Sequence, residues 1–327
     1  MFQNCSLKRL LSLILICMTA TIGLLASGAT SAGATYPDRP IKMIVPWPAG
    51  GDTDAISRVF ANGLEKHLGK PVVIVNISGA SGTVGAREAK KAAPDGYTIL
   101  SIHDFIHSTY YTGVAEMTYK DFEPVSLMTS TPSMLAAYGK APWNSLKEVI
   151  DDAKKRPDQI TVGATMGSTS HFFPAMVAKA AGIKWKYVSY DGTAPRMTAL
   201  LGGHVLLGDT NLTQLDKVKA GQMKLFAIAM AKRLPEIPDV PTFRELGYDV
   251  IYAVSRGIVA PKGTPEAVLA KLEDACVKAA KEPAFAESMK MQGTLVEFLN
   301  RKDYADFLQK NDKMNADLSQ ALGYKRK

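Results

Sequence analysis

The chain has 327 residues, 39 Lys+Arg against 31 Asp+Glu for a mildly basic formal charge of +8, and only 3 cysteines. The basic side chains are scattered among acids, as in Lys90-Lys91 and Lys154-Lys155-Arg156, with no Arg/Lys stripe interleaved with aromatics, which argues against a nucleic-acid partner. The cysteine count excludes a disulfide scaffold, and the length is more than one core usually serves.

The N-terminus reads as an export signal. Lys8 and Arg9 precede an uncharged apolar run from 10 to 25, followed by small residues ending Ala32-Gly33-Ala34. That run is short of the roughly 20 residues a membrane span needs, so residues 1–34 are expected to be cleaved rather than to anchor the chain. Ile16 before Cys17, in place of a small residue, speaks against a lipid anchor. Cleavage removes Cys5 and Cys17, leaving Cys276, which falls at helical spacing with Leu272, Ala275 and Ala279 as a small core residue. The expected compartment is therefore the periplasm.

Beyond the signal, short Val/Ile/Tyr-rich runs alternate with amphipathic stretches. Strands are predicted at 41–45, 72–76, 97–102, 160–164, 185–190, 205–209 and 225–229. Helices are predicted at 54–68, ending on Gly69, and at 146–155, 172–181, 265–281 and 304–322. The alternation points to an α/β protein with mostly parallel sheets. A mature chain of about 290 residues with no Gly/Pro/Ser-rich tether suggests two lobes joined by extended crossing segments. Crossings near 132–138 and 252–261 would make lobe 1 discontinuous, 35–133 with 252–327, and leave 134–251 as lobe 2.

Two loops carry the chemistry. Pro48-Ala49-Gly50-Gly51-Asp52-Thr53 lies between a strand and a helix: the glycines let a ligand approach the main chain, and Asp52, Thr53 or Asp54 can cap the helix. The first N–H groups of that helix attract anions at the carboxyl ends of the strands. Gly167-Ser168-Thr169-Ser170 repeats the arrangement in the second half with three hydroxyls. Tyr190 to Pro195, including Thr193, and Asp209-Thr210-Asn211 are further candidates, although turn chemistry also accounts for them.

The loop PWPAGGDTDAISR, Asn76 with GASG, the turn PDGYT, the loop GSTSH, the run LLGGHV and the segment APKGTP occur in the order seen in Bug-type receptors of tripartite tricarboxylate transporters. The resemblance spans the mature chain and implies a class II-like periplasmic binding protein: two Rossmann-like lobes with a ligand cleft between them, and a carboxylate held by the two loops. It implies no cofactor and no catalysis, and as partners a small carboxylate (di- or tricarboxylate or aromatic acid) and membrane transporter subunits, with the receptor a monomer. Two departures stand out. Leu206 occupies a position where many relatives carry an acid, with Asp209 three residues on, and Val254-Ser255-Arg256-Gly257 stands where many carry Trp. Arg256 is expected either to reach a second carboxylate at the far end of the cleft or to pair with a surface acid.

One rival reading is enzymatic. His103-Asp104-Phe105-Ile106-His107 is similar to the HExxH helix of zinc hydrolases, with His103 and His107 four apart on one face. Asp is shorter than the usual Glu base, and His67, His171 and His204 show no partnered ligand spacing.

Overall fold

Two mixed β-sheets, each with helices packed on it, build the protein in a computed structural model that describes residues 36–324. The leader 1–34, and with it the proposed cleavage site, lies outside the described residues. Residues from Arg39 onward form one compact unit.

The first sheet has the order β11-β4-β10-β3-β1-β2. Its parallel half contains β1 (Ile41–Val45), β2 (Val72–Asn76) and β3 (Thr98–Ile102). Its antiparallel half contains β4 (Phe122–Pro132), β10 (Ala253–Pro261) and β11 (Leu295–Leu299). The second sheet has the order β7-β6-β8-β5-β9, with β5 (Met134–Tyr138), β6 (Thr161–Ala164), β7 (Lys186–Ser189), β8 (Leu207–Thr210) and β9 (Met223–Ile228).

The expectation of mostly parallel sheets needs correction. β6, β7 and β8 run parallel, but β5 pairs antiparallel with β8 and β9, as β10 does with β3 and β4. The segments that pass between the sheets cause this: a chain that leaves one sheet and returns re-enters it against the direction of the βαβ strands. β4 in the first sheet is followed after Ser133 alone by β5 in the second. At this crossing Ser133 N–H donates to Tyr252 O, Tyr252 N–H to Ala229 O and Ala229 N–H to Ser133 O, at 3.3, 2.9 and 2.9 Å. Three strand ends are thus tied into one knot of main-chain bonds.

The five predicted helices form, and five further ones among the described residues fall outside what the apolar period predicts. In α1 (Asp52–Leu68), Ile56, Phe60, Leu64 and Leu68 are buried along one stripe, and Gly69 ends the helix at φ 69°, a left-handed cap that glycine adopts without strain. The remaining helices are α2 (Thr83–Lys91), α3 (Phe105–Tyr111), α4 (Leu146–Lys155), α5 (Thr169–Ala181), α6 (Thr193–Leu201), α7 (Leu215–Lys219), α8 (Glu266–Ala280), α9 (Pro283–Met291) and α10 (Arg301–Ala321). Each sheet has its own core: Ile44, Trp47, Phe105, Leu127 and Tyr304 meet in the first, and Leu135, Trp143, Phe172, Phe173, Phe243 and Tyr252 in the second. Fully burying one such side chain stabilises by roughly 1.5–3 kcal/mol. Cys276 is buried in α8, and burial raises its thiol pKa.

Candidate functional site

A cavity opens where the carboxyl ends of β1 and β3 face those of β6 and β8, with β4 and β10 crossing at its base. Strand carboxyl ends form such crevices because the βα loops and helix N-termini that follow them are free to diverge. Of the predicted residues, Pro48, Gly51, Asp52, Thr53, Ser168, Thr169, Ser170, Thr193, Asp209 and Arg256 line it. Ala49, Gly50 and Gly167 do not.

The first loop is held from beneath by one buried carboxylate. Asp54 accepts from Gly50 N–H at 3.0 Å, Asn76 Nδ2 at 2.9 Å, and Arg58 Nε and Nη2 at 3.1 and 3.0 Å. Burial pushes the Asp54 pKa up, but these bonds outweigh it and hold the carboxyl below its ordinary value. Asn76 also donates to Trp47 O at 3.0 Å, so both ends of the turn are tied to β2. The side-chain cap expected on α1 is absent: its N-cap is Gly51, and Asp54 spends its oxygens on the loop. Gly50 N–H is consumed internally, while Asp52 and Thr53 in the first turn of α1 face the cavity.

The second loop is organised by hydroxyls. Ser170 Oγ accepts from Thr165 N–H at 2.9 Å and lies 3.3 Å from Ser168 Oγ. Thr165 Oγ1 accepts from Gly192 N–H at 3.2 Å, fixing the turn that starts α6. His171, behind this loop, is driven by burial down to about 4 and is neutral at physiological pH. Across the rim, Ser81 Oγ donates to Met166 O at 2.6 Å, and Pro48 packs so near Gly192 that a Cβ there would lie 3.2 Å from Pro48 Cδ. Ala80 and Ser81 take left-handed φ of 47° and 57°, a local strain of about 1–3 kcal/mol each at the residues that clasp the rim.

Two guanidiniums enter the cavity. Arg196 on α6 pairs with Asp209 of β8 at 2.9 Å, both side chains nearly buried. Burial raises the Asp209 carboxyl and Arg196 opposes it. Arg256 on β10 is 4% exposed. Its Nε donates to Thr53 Oγ1 at 3.2 Å, and its Nη1 to Thr131 Oγ1 at 2.7 Å and Val254 O at 3.4 Å. Among the described residues no carboxylate ion-pairs with it, so the surface-acid alternative does not apply; Thr53 puts this guanidinium beside the start of α1, across the cavity from the start of α5. The crossing strand causes this, because β10 carries Val254 and Arg256 along the cavity wall next to the first loop.

The His103/His107 arrangement also differs from expectation. α3 begins at Phe105, so His103 precedes it at the end of β3 and the two imidazoles share no helical face. His103 Nδ1 accepts from Phe105 N–H at 3.2 Å and its ring stacks on Trp47 at 5.2 Å and 12°. His107 Nδ1 meets Asp312 of α10 at 3.1 Å. Among the described residues no three His, Cys, Asp or Glu converge as a metal site.

Sequence reading missed Trp47, Arg196, Thr131 and Thr165 as lining residues, and placed His103 only in a metal reading. Arg196 is the sole charged residue between Asp191 and His204, in a helix otherwise apolar enough to be buried, and such an arginine demands an internal acid. His103 was accessible by applying to β3 the strand-end rule used for β1.

Comparison with known proteins agrees with this geometry. The family model described as "Tripartite tricarboxylate transporter family receptor" matches residues 56–324. The solved periplasmic binding protein BugD is 34% identical, with a TM-score of 0.83 over 89% of this chain and 100% of that one. MatC from Rhodopseudomonas palustris, solved with bound malate, is 30% identical with a TM-score of 0.81, covering 87% and 100%. A third structure, an R. palustris protein with adipate, is 28% identical with a TM-score of 0.83, covering 88% and 98%. The chain therefore belongs to the receptor family of the tripartite tricarboxylate transporters.

Proposed function

We propose that this protein is a periplasmic solute-binding receptor that captures a small carboxylate and delivers it to the membrane subunits of a tripartite tricarboxylate-type transporter, without catalysis and without a cofactor. The observation that carries the reading is the buried Arg256 guanidinium, facing a cleft between two helix starts with only neutral partners. A buried cation is costly unless an anion meets it, and a ligand carboxylate supplies that anion. The first turns of α1 and α5 add backbone N–H groups and the hydroxyls of Thr53, Ser168, Thr169 and Ser170.

In this reading residues 35–133 with 252–327 act as one lobe and 134–251 as the other, hinged at the main-chain knot of Ser133, Ala229 and Tyr252. Closure brings Ser81 to Met166, expels water and strengthens each bond to the carboxylate. Residues 1–34 direct export and are removed, and the mature monomer meets its transporter in the closed form. Among the described residues no helix is long and apolar enough to cross a membrane, in keeping with a separate membrane partner.

Related structures were solved with malate and with adipate, which makes dicarboxylates the first ligands to try. The test is calorimetric titration of the mature protein, stripped by partial unfolding and refolding, with a panel of di-, tri- and monocarboxylates. Micromolar or tighter binding to at least one acid is expected. Failure of every acid to bind refolded protein of native circular dichroism overturns the reading.

A further inference from the structure

The α1 end of the cleft contains more than an arginine. Arg256 has five N–H donors, and its three hydrogen bonds use Nε and Nη1, to Thr53, Thr131 and Val254. Thr131 passes its own hydrogen to Thr294 Oγ1 at 2.6 Å, so its oxygen is committed to accepting from Arg256 and the guanidinium is fixed in direction. The two N–H groups on Nη2 have no partner among the described residues. Thr53 Oγ1 accepts from Nε, which leaves its hydrogen to donate elsewhere.

His103 lies on the same stretch of wall and is 6% exposed. Burial, reinforced by the charge of Arg256, holds its pKa well below the ordinary value, so the ring is neutral. A neutral imidazole has one donor and one acceptor nitrogen. Because Nδ1 accepts from Phe105 N–H, the proton belongs on Nε2, which has no partner among the described residues. The ring cannot turn away, since it stacks on Trp47 and meets Phe105 edge-on with centroids 4.9 Å apart.

A buried, oriented guanidinium edge, a fixed imidazole N–H and a free hydroxyl hydrogen therefore line one end of a cavity whose opposite wall supplies the α5 start. All three are donors, which suits a group made only of acceptors. We propose that His103, Arg256 and Thr53 form a subsite for the second carboxylate of a dicarboxylate ligand, whose first carboxylate is held by Ser168, Thr169 and Ser170 at the start of α5. This deepens the carboxylate-receptor reading and rests on it. His103 is the specificity element: an imidazole N–H rewards an acceptor and gives nothing to a methyl group.

Asp52 and Asp209 limit what else fits. Both line the cavity. Arg196 neutralises Asp209, while Asp52 and Arg256 attract one another without an ion pair. A monoacid would bury an apolar tail against Arg256 and leave its free N–H groups unbonded, whereas a carboxylate satisfies them; Asp52 partly opposes that second anion.

The experiment titrates wild type, His103→Phe, Arg256→Lys and Arg256→Met with dicarboxylates and the monoacids that lack one carboxylate: succinate with butyrate, adipate with hexanoate, phthalate with benzoate. The phenylalanine keeps the stack on Trp47 and removes the Nε2–H together with the Nδ1 acceptor of Phe105 N–H, a backbone loss that acts on diacid and monoacid alike. Wild type is expected to prefer a diacid over its monoacid by about tenfold to over a hundredfold, the range for a hydrogen bond to a charged group. His103→Phe should reduce that preference about three- to tenfold, and Arg256→Met should abolish it, with monoacid affinity little changed in either. Arg256→Lys keeps the charge and should retain part of the preference, which distinguishes lost recognition from lost folding. Equal loss for diacid and monoacid in His103→Phe, or a wild type that binds both alike, overturns the subsite and leaves the carboxylate receptor standing. Binding of no acid by wild type overturns both.

Discussion

Asp54→Ala tests whether one buried carboxylate shapes the ligand loop. The substitution removes the acceptor of four N–H groups. Arg58 has a half-exposed side chain, so its i,i+4 pair contributes only a few tenths of a kcal/mol, and water replaces the lost partner. Gly50 N–H and Asn76 Nδ2 are partly shielded, and each bond to a charged acceptor is worth about 1.5–3 kcal/mol. Taking the lower end for both gives about 3 kcal/mol. Urea unfolding followed by circular dichroism reads this as a lower midpoint with unchanged slope. Affinity for the acid that wild type binds should fall as well, because Trp47 to Gly51 lose the tie that places Thr53. The pH dependence has a definite sign. The folded-state pKa of Asp54 is depressed, so its stabilisation is present above the unfolded value near 3.8 and is lost as pH falls through the lower folded value. The gap between wild type and Asp54→Ala should therefore be constant at neutral pH and narrow below about pH 4. A destabilisation under about 0.5 kcal/mol at pH 7, with unaltered affinity, would refute the idea that Asp54 organises the loop.

Other outcomes follow from single contacts. Ser81→Ala removes the rim bond to Met166, worth about 0.5–1.5 kcal/mol, and calorimetry should show two- to tenfold weaker ligand binding with little change in unfolding midpoint if that bond forms only on closure. Gly139→Ala places a Cβ 2.1 Å from Gly221 O, a main-chain atom that cannot swing aside, and should lower the urea midpoint by the equivalent of about 1–3 kcal/mol or more. Cys276, buried with its thiol pKa raised, should resist a thiol-specific disulfide reagent in native protein at pH 8 and react fully once unfolded. N-terminal sequencing of protein exported by its native host should begin near Thr35, and retention of Met1 would contradict the cleavage reading.

Much of this architecture follows from local chemistry that a sequence displays. β1 and β2 match their predicted bounds because each is rich in Val and Ile and follows a proline, and α4 matches because its apolar residues repeat at helical spacing behind the Ser145 cap. The two ligand loops are legible for the same reason: Gly-Gly, and hydroxyls before a helix, have few other uses between a strand and a helix. The crossings expected at 132–138 and 252–261 as connections are the strands β5 and β10, while β4 and β11 are not among the predicted strands. β4 is buried along most of its length and shows no alternation, and β10 contains Arg256 and Gly257, residues that belong to no simple strand pattern.

The polarity of the sheets, the partner of each buried charge and the tautomer of His103 were decided by tertiary structure alone. Nothing local in Val254-Ser255-Arg256-Gly257 says that Thr53 and Thr131 will hydrogen-bond the guanidinium, because those partners lie 203 and 125 residues away. Nothing local in His103-Asp104-Phe105-Ile106-His107 says that α3 starts only at Phe105, leaving the first imidazole to stack on Trp47. Periodicity and turn chemistry depend on neighbours within about one or two turns of chain and are therefore written in sequence. The fate of a buried polar group depends on which distant donor or acceptor the packing delivers, and only the folded chain fixes that.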